Sequence, residues 1–235
     1  METHKVVSHE DWIEARKALL AKEKELTQLR DSLSAARREL PWEKVETAYS
    51  FDGPDGRESL AELFADRSQL IVYHFMLGPG WSEGCKACSF LTDHFEPAVV
   101  HLNNRDVTMI AVSRAPLAEI EAFKARMGWT FKWVSSFETG FNRDYQVSFS
   151  EDELAAGEIT YNYARTKFPM TEAPGLSVFV KDGDGKIFHS YSCYARGLDQ
   201  FITAYSYLDL VPKGRDEAGL PFAMDWVRLH DSYEE

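Results

Sequence analysis

The chain has 235 residues, 44% of them hydrophobic, and a formal net charge of −12 with its histidines neutral. A chain of this length buries roughly 70–75% of its unfolded surface, which excludes collagen-like, disordered and mini-protein classes. The acidic balance repels phosphate at long range, so a nucleic-acid partner is not expected.

Ser8 with Asp11 resembles a capping box, and from there to Leu40 the chain lacks Gly and Pro and is rich in Ala, Leu, Glu, Lys and Arg. One long helix is predicted, closed by Pro41. Trp12, Leu19, Leu26, Leu33 and Leu40 recur every seven residues, with Ala15, Lys22, Leu29 and Ala36 between them. This seam suits either an arm laid over its own domain or a homodimer formed through the N-terminal helix. Residues 1–44 are read as the arm, and the compact domain as 45–212.

The domain opens with a short strand, a Gly/Pro turn, a strand edge and a helical turn ending near Phe64. Gln69–Leu77 is a near-continuous apolar run, the pattern of a central strand covered on both faces. Residues 86–102 are predicted helical with a bend at Pro97, and 106–113 form a second buried strand. Strand, helix and strand make a parallel crossover unit, and such sheets place their sites at the loop leaving the first strand. Pro116–Met127 reads as an amphipathic helix, followed by a short aromatic strand. The polar stretch 138–173 is read as an insertion or long loop. Two strands around Asp182-Gly-Asp-Gly form a hairpin, Asp199–Leu210 a closing helix, and 213–235 a tail packed on the domain. No apolar run reaches the roughly 18 residues of a membrane span, and no signal-peptide stretch opens the chain, so a cytoplasmic protein with no membrane association is expected.

Of three cysteines, Cys85 and Cys88 are too close in sequence to staple distant segments, which excludes a disulfide scaffold. They form a C-x-x-C on the turn from strand to helix. Unpaired N–H groups and the positive dipole end favour the thiolate at the first position, so Cys85 is the expected nucleophile. Lys86 lies in the motif and either adds a cation or points to solvent. Cys88, about one turn on, is placed to resolve a mixed disulfide at Cys85. The competing readings are half of a zinc site, with His94 completing a C-x2-C-x5-H string, or inert thiols. With no second C-x-x-C, no metal and no other cofactor is expected.

The order of elements and the motif resemble the thioredoxin superfold, and the segment from FDGPDGRESLAELF through IVYHFMLGPGWSEGCKAC to VTMIAVS is similar to its peroxiredoxin-like branch. The strings GPGWSEGCKACSF, VSRAPLAEIEAFKARMGW, WVSSF, PGLSVF, YSCYARGLD and YLDLVPKGRDE resemble a bacterial thioredoxin-like family known as domain of unknown function 899, over almost the whole chain. The resemblance implies an α/β thioredoxin-like fold, a central mixed sheet flanked by helices, here with a long N-terminal helix. It also implies dithiol–disulfide oxidoreductase activity. The substrate would be a disulfide-containing protein or small molecule, and a reductase would donate electrons. Pro174 resembles the proline that is cis in thioredoxins and that presents a backbone edge beside the dithiol. Thioredoxins carry Trp just before the first cysteine, whereas Gly84 stands there and Trp81 lies four residues upstream of Cys85, implying a different substrate surface.

Peroxiredoxins place Pro seven and Thr or Ser three residues before their cysteine; Ser82 fits, but Pro79 lies six before Cys85. Thiol peroxidase activity is therefore the alternative, needing Arg196 within reach of the thiolate. A third reading is a non-catalytic interaction module. His74 is either a general base facing Cys88 or a hydrogen-bonded core residue, with the second favoured. Cys193 is expected to be a buried filler. The Asp182-Gly-Asp-Gly stretch lacks the fifth-position oxygen and sixth-position Gly of a calcium loop and reads as a turn.

Overall fold

The computed structural model describes residues 4–234. Residues 1–3 of the expected arm and residue 235 of the expected tail lie outside them. The described chain divides after Pro41 into two compact units.

The first unit is α1 (His9–Arg38). Ser8 Oγ accepts from the Asp11 N–H at 3.1 Å, acidic Glu10 and Asp11 occupy the first turn, and Arg37 and Arg38 the last, so both ends complement the helix dipole. Glu14–Lys17 and Arg16–Glu23 pairs run along its surface. No residue of α1 is buried, and Trp12, Leu19, Leu26, Leu29 and Leu33 are exposed.

In the second unit, eight strands form one mixed sheet: β1 (Glu43–Lys44), β2 (Ser50–Gly53), β3 (Gly56–Ser59), β4 (Gln69–His74), β5 (Val107–Ser113), β6 (Trp133–Ser135), β9 (Gly175–Lys181) and β10 (Ile187–Tyr194). β7 (Ile159–Tyr161) and β8 (Ala164–Thr166) form a separate hairpin. The sheet order is β1-β10-β9-β4-β5-β6-β2-β3. β4 runs parallel to β5, β5 parallel to β6, and β9 antiparallel to both β4 and β10. The inner order β10-β9-β4-β5, with helices crossing from β4 to β5 and a closing hairpin, is the thioredoxin-like fold. Glu43–Lys44, read from sequence as the end of the arm, instead pairs with β10 at the sheet edge.

The crossover is α2 (Lys86–Phe95), a 3-10 turn at Glu96–Ala98 and α3 (Val99–Asn103), so the bend falls at Pro97 as its missing N–H dictates. α4 (Leu117–Arg126) follows β5 and buries Ile120 and Phe123. The stretch 138–173 carries structure of its own: α5 (Phe141–Asp144), α6 (Glu151–Ala155) and the β7–β8 hairpin. Asp182 Oδ1 accepts from the Asp184 and Lys186 N–H groups, closing the β9–β10 turn. The predicted closing helix is shorter than expected: a 3-10 segment over Ala195–Phe201, then α7 (Thr203–Leu208). No described helix is long and apolar enough to cross a membrane.

Alternation along the central strands divides the core. Ile71, Tyr73 and Phe75 join one cluster with Cys88, Leu91 and Trp133, whereas Leu70 and Val72 join another with Phe141 and Phe179. In the first cluster Phe75 meets Trp133 at a ring-centroid distance of 4.5 Å. Val227 and Leu229 of the C-terminal tail are buried in it too.

Candidate active site

The loop after β4 returns to the sheet before α2 begins. The Cys85 N–H donates to the Met76 carbonyl at 3.1 Å, and the Cys85 carbonyl accepts from the Ser89 N–H at 2.9 Å and Oγ at 3.0 Å. Cys85 thus caps α2 with extended backbone, φ −59° and ψ 130°. Gly84 is required here because a Cβ would meet Phe75 and Phe123 ring carbons at 2.6 Å. The Trp of thioredoxins has no room at this place.

Cys85 is half-buried and Cys88 is 1% exposed. Hydrogen bonding from the Cys88 side chain, opposed by burial and aided by the Cys88 and Ala87 N–H groups, pulls the Cys85 thiol down from 9.0 to about 7. Burial pushes Cys88 well above the usual thiol range, and its bond and charge interaction with Cys85 add to this. The Tyr73 hydroxyl and the Met76 N–H donate to Cys88 and partly offset that rise. Burial and the nearby Cys88 charge likewise hold the Tyr73 phenol well above its usual range. The pair is thus asymmetric: a thiolate former at the helix end and a thiol held in reserve behind it.

The expected supporting residues fare differently. Pro174 lines a cavity with both cysteines. Its preceding peptide bond is trans, as are all others among the described residues, contrary to the cis form implied by the resemblance. The trans run is held by the Ala173 N–H donating to the Val147 carbonyl at 2.9 Å and by the Tyr161 hydroxyl donating to the Pro174 carbonyl at 2.7 Å. Buried Glu172, bonded to Arg114 and Ser148, anchors this stretch. Trp81 does not line the cavity; its indole lies over Gly78, where a Cβ would meet Nε1 at 2.9 Å. Lys86 is exposed and is not among the groups that lower the Cys85 thiol. Arg196 reaches the cavity rim, but its side chain is 87% exposed and its Nε pairs with Asp199 at 3.2 Å.

His74 does not face Cys88. As the neighbour of Tyr73 on a strand it points through the opposite face, stacking on Tyr145 at 5.9 Å between ring centroids. Its Nε2 shares a 2.9 Å hydrogen bond with Ser177 Oγ. Burial, with a smaller contribution from His189, lowers its pKa to about 3. It is the core histidine favoured from sequence. Cys193 is buried in β10 opposite Leu176 and does not line the cavity.

Residues missed in the sequence complete the site. Tyr73 meets the Cys88 thiol; strand alternation made either it or His74 available, but not both. The cavity measures about 730 Å3 and gathers Met76 and Leu91 beside the cysteines, Tyr161 and Phe168 from the 138–173 stretch, and Met224 from the tail. No local spacing announces it. Among the described residues no three or more His, Cys, Asp or Glu side chains gather as a metal site.

Among solved structures, the chain is similar to a Cys-to-Ser mutant of PrxQ from Xylella fastidiosa, at 12% identity over 71% of this chain and 94% of that one, with a TM-score of 0.45. It is also similar to peroxidoxin BcpB from Mycobacterium tuberculosis (13% identity, 70% and 94% covered, TM-score 0.42). A third similar structure is peroxiredoxin Q from Xanthomonas campestris (14%, 70% and 95%, 0.46). None of the curated proteins matches the chain. The thioredoxin-like topology is carried by the strand order itself, and a family model matches residues 1–233, so the chain belongs to the family described as bacterial protein of unknown function (DUF899).

Proposed function

We propose that the chain is a dithiol–disulfide oxidoreductase in which Cys85 attacks and Cys88 resolves. The observation that carries this reading is the placement of the two thiols, Cys85 half-buried at the N-cap of α2 and Cys88 buried one turn on, which lowers the first thiol and raises the second. The Cys85 thiolate attacks one sulfur of a substrate disulfide, forming a mixed disulfide and expelling the other half as a thiolate, which takes a proton from solvent. Cys88 then attacks Cys85 Sγ, its proton passing to the second leaving thiolate. The products are a Cys85–Cys88 disulfide and two substrate thiols. A dithiol reductant or reductase returns the pair to its starting state.

Peroxide reduction has less support, because Arg196 pairs with Asp199, its side chain is 87% exposed, and it is not among the groups that lower the Cys85 thiol. The test is a redox titration of the full chain in mixtures of oxidised and reduced dithiothreitol, followed by peptide mapping. Reversible formation of a Cys85–Cys88 disulfide is expected. Cysteines that stay reduced throughout, or that pair only irreversibly, overturn the reading. Consumption of hydrogen peroxide faster than that of any disulfide would transfer the assignment to the peroxidase alternative.

A further inference from the structure

The wall around the dithiol is apolar, and its polar groups are already engaged with one another. Arg215 holds Asp209 through two bonds of 2.9 and 2.8 Å, reaches Asp199 at 3.3 Å and lies 3.8 Å over the Tyr205 ring. Glu217 Oε1 accepts from Tyr205 Oη, the Met224 N–H and Trp226 Nε1 at 2.9, 3.0 and 2.8 Å. Tyr161 is spent on both sides, donating to the Pro174 carbonyl and accepting from the Ala195 N–H at 3.0 Å. Apart from Arg196 at the solvent-exposed rim, whose Nε pairs with Asp199, little is left inside the cavity to pair with a charged ligand, whereas Met76, Leu91, Phe168, Leu198 and Ile202 offer contact to an apolar one.

A protein substrate faces a second obstacle. Extended-peptide recognition beside a dithiol needs free backbone groups for strand pairing. Here Ala173 N–H bonds Val147, the Pro174 carbonyl is taken by Tyr161, and Gly175 sits between Tyr194 and His74 in the sheet. Two of the backbone groups that a substrate strand would use are thus engaged within the chain.

We infer that the substrate of the Cys85–Cys88 pair is a small disulfide with uncharged, aromatic or aliphatic substituents that enters the cavity between α2, the β7–β8 hairpin and the C-terminal tail. This rests on the oxidoreductase reading and names its substrate class. One substituent occupies the apolar cavity while its sulfur meets Cys85; the exchange then follows the two steps given above, consuming the substrate disulfide and releasing two thiols.

The experiment measures how fast the reduced full-length protein is oxidised by diphenyl disulfide, 2-hydroxyethyl disulfide, oxidised glutathione and insulin, each rate divided by that of the same probe with N-acetylcysteine. Burial of one aromatic ring predicts a normalised rate for diphenyl disulfide at least about tenfold above those of the other three. Met224→Glu, which places a charge in the cavity wall, should lower the rate with diphenyl disulfide by a larger factor than the rate with 2-hydroxyethyl disulfide. If glutathione or insulin matches the aromatic probe, or if Met224→Glu slows both small probes equally, the substrate inference is overturned and the oxidoreductase reading stands. If no probe oxidises the pair, both fall.

Discussion

Tyr73 and His74 are consecutive on β4, yet they serve opposite faces of the sheet. Tyr73 donates its hydroxyl to the Cys88 thiol and borders the cavity. His74 closes a buried chain in which Ser177 Oγ meets Ser192 Oγ at 2.8 Å and Ser192 Oγ meets His189 Nε2 at 2.7 Å. One face borders a hollow; the other is closed by packed rings. Residue type alone would assign proton chemistry to the histidine, but burial holds its ring neutral across the physiological range. Position relative to α2 decides the role, and a one-residue step along the strand reverses it.

The largest expected effect lies on the Tyr73 face. Cys85→Ser should lower the rate of oxidation by small disulfides by roughly three orders of magnitude, since the other described thiols, Cys88 and Cys193, are buried. Stopped-flow oxidation of the reduced variant measures this, and a variant retaining most of the rate would move the nucleophile elsewhere. Cys88→Ser should instead accumulate the mixed disulfide, visible by intact-protein mass.

The next effect is on pH. With its pKa at about 7 rather than 9.0, Cys85 should react with iodoacetamide at pH 7 on the order of fiftyfold more as thiolate than an ordinary thiol does, with a half-maximal rate near pH 7. The sign for stability follows. The folded pKa is depressed, so the thiolate's contribution is present at and above pH 9.0 and is lost as pH falls toward 7. Cys88 acts in the opposite sense only above 9.0, because its folded pKa is raised. The melting-temperature gap between wild type and Cys85→Ser should therefore widen as pH rises from 7 to 9.0, and a flat gap would remove the helix-end stabilisation from the account.

On the other face, His74→Leu should cost about 1–3 kcal/mol of stability through the lost bond to Ser177 and altered packing on Tyr145. It should leave the pH midpoint of Cys85 alkylation where it was. Chemical denaturation measures the first and alkylation the second; a shifted midpoint would couple the two faces and break the contrast between them.

What the sequence disclosed follows the same division between local and distant. The C-x-x-C, the helix bend at Pro97, the Asp182 turn and the long helix closed by Pro41 depend on residues a few positions apart, and each was legible. The helix 199–210 was overextended because Ala195–Phe201 is 3-10, with Ala195 at φ 48°, a backbone break that Ala does not announce. Pro174 lines the cavity with both cysteines, but its peptide bond is trans, and the Tyr161 and Val147 groups that bond this stretch belong to the 138–173 segment. The cavity was invisible for the same reason: Phe168, Leu198 and Met224 converge only after the insertion and tail have folded onto α2.

Tyr73→Phe gives the smallest effect and the sharpest reading of the comparison. The substitution keeps the ring, which packs edge-on against Phe75 and Phe95 at 6.1 and 5.8 Å, and removes only the hydroxyl. That hydroxyl lowers the Cys88 thiol against burial, so its loss should leave Cys88 protonated more of the time and slow its attack on the mixed disulfide. The loss of one hydrogen bond to a developing thiolate is worth about tenfold or less in rate. Tyr73 is not among the groups that lower the Cys85 thiol, so the first step should keep its speed. Single-turnover mass spectrometry with a small disulfide separates the two steps: a longer-lived mixed disulfide formed at the wild-type rate supports a proton-handling hydroxyl behind Cys88. Equal slowing of both steps would reduce Tyr73 to packing, and the two faces of β4 would then differ in their hollow but not in their chemistry.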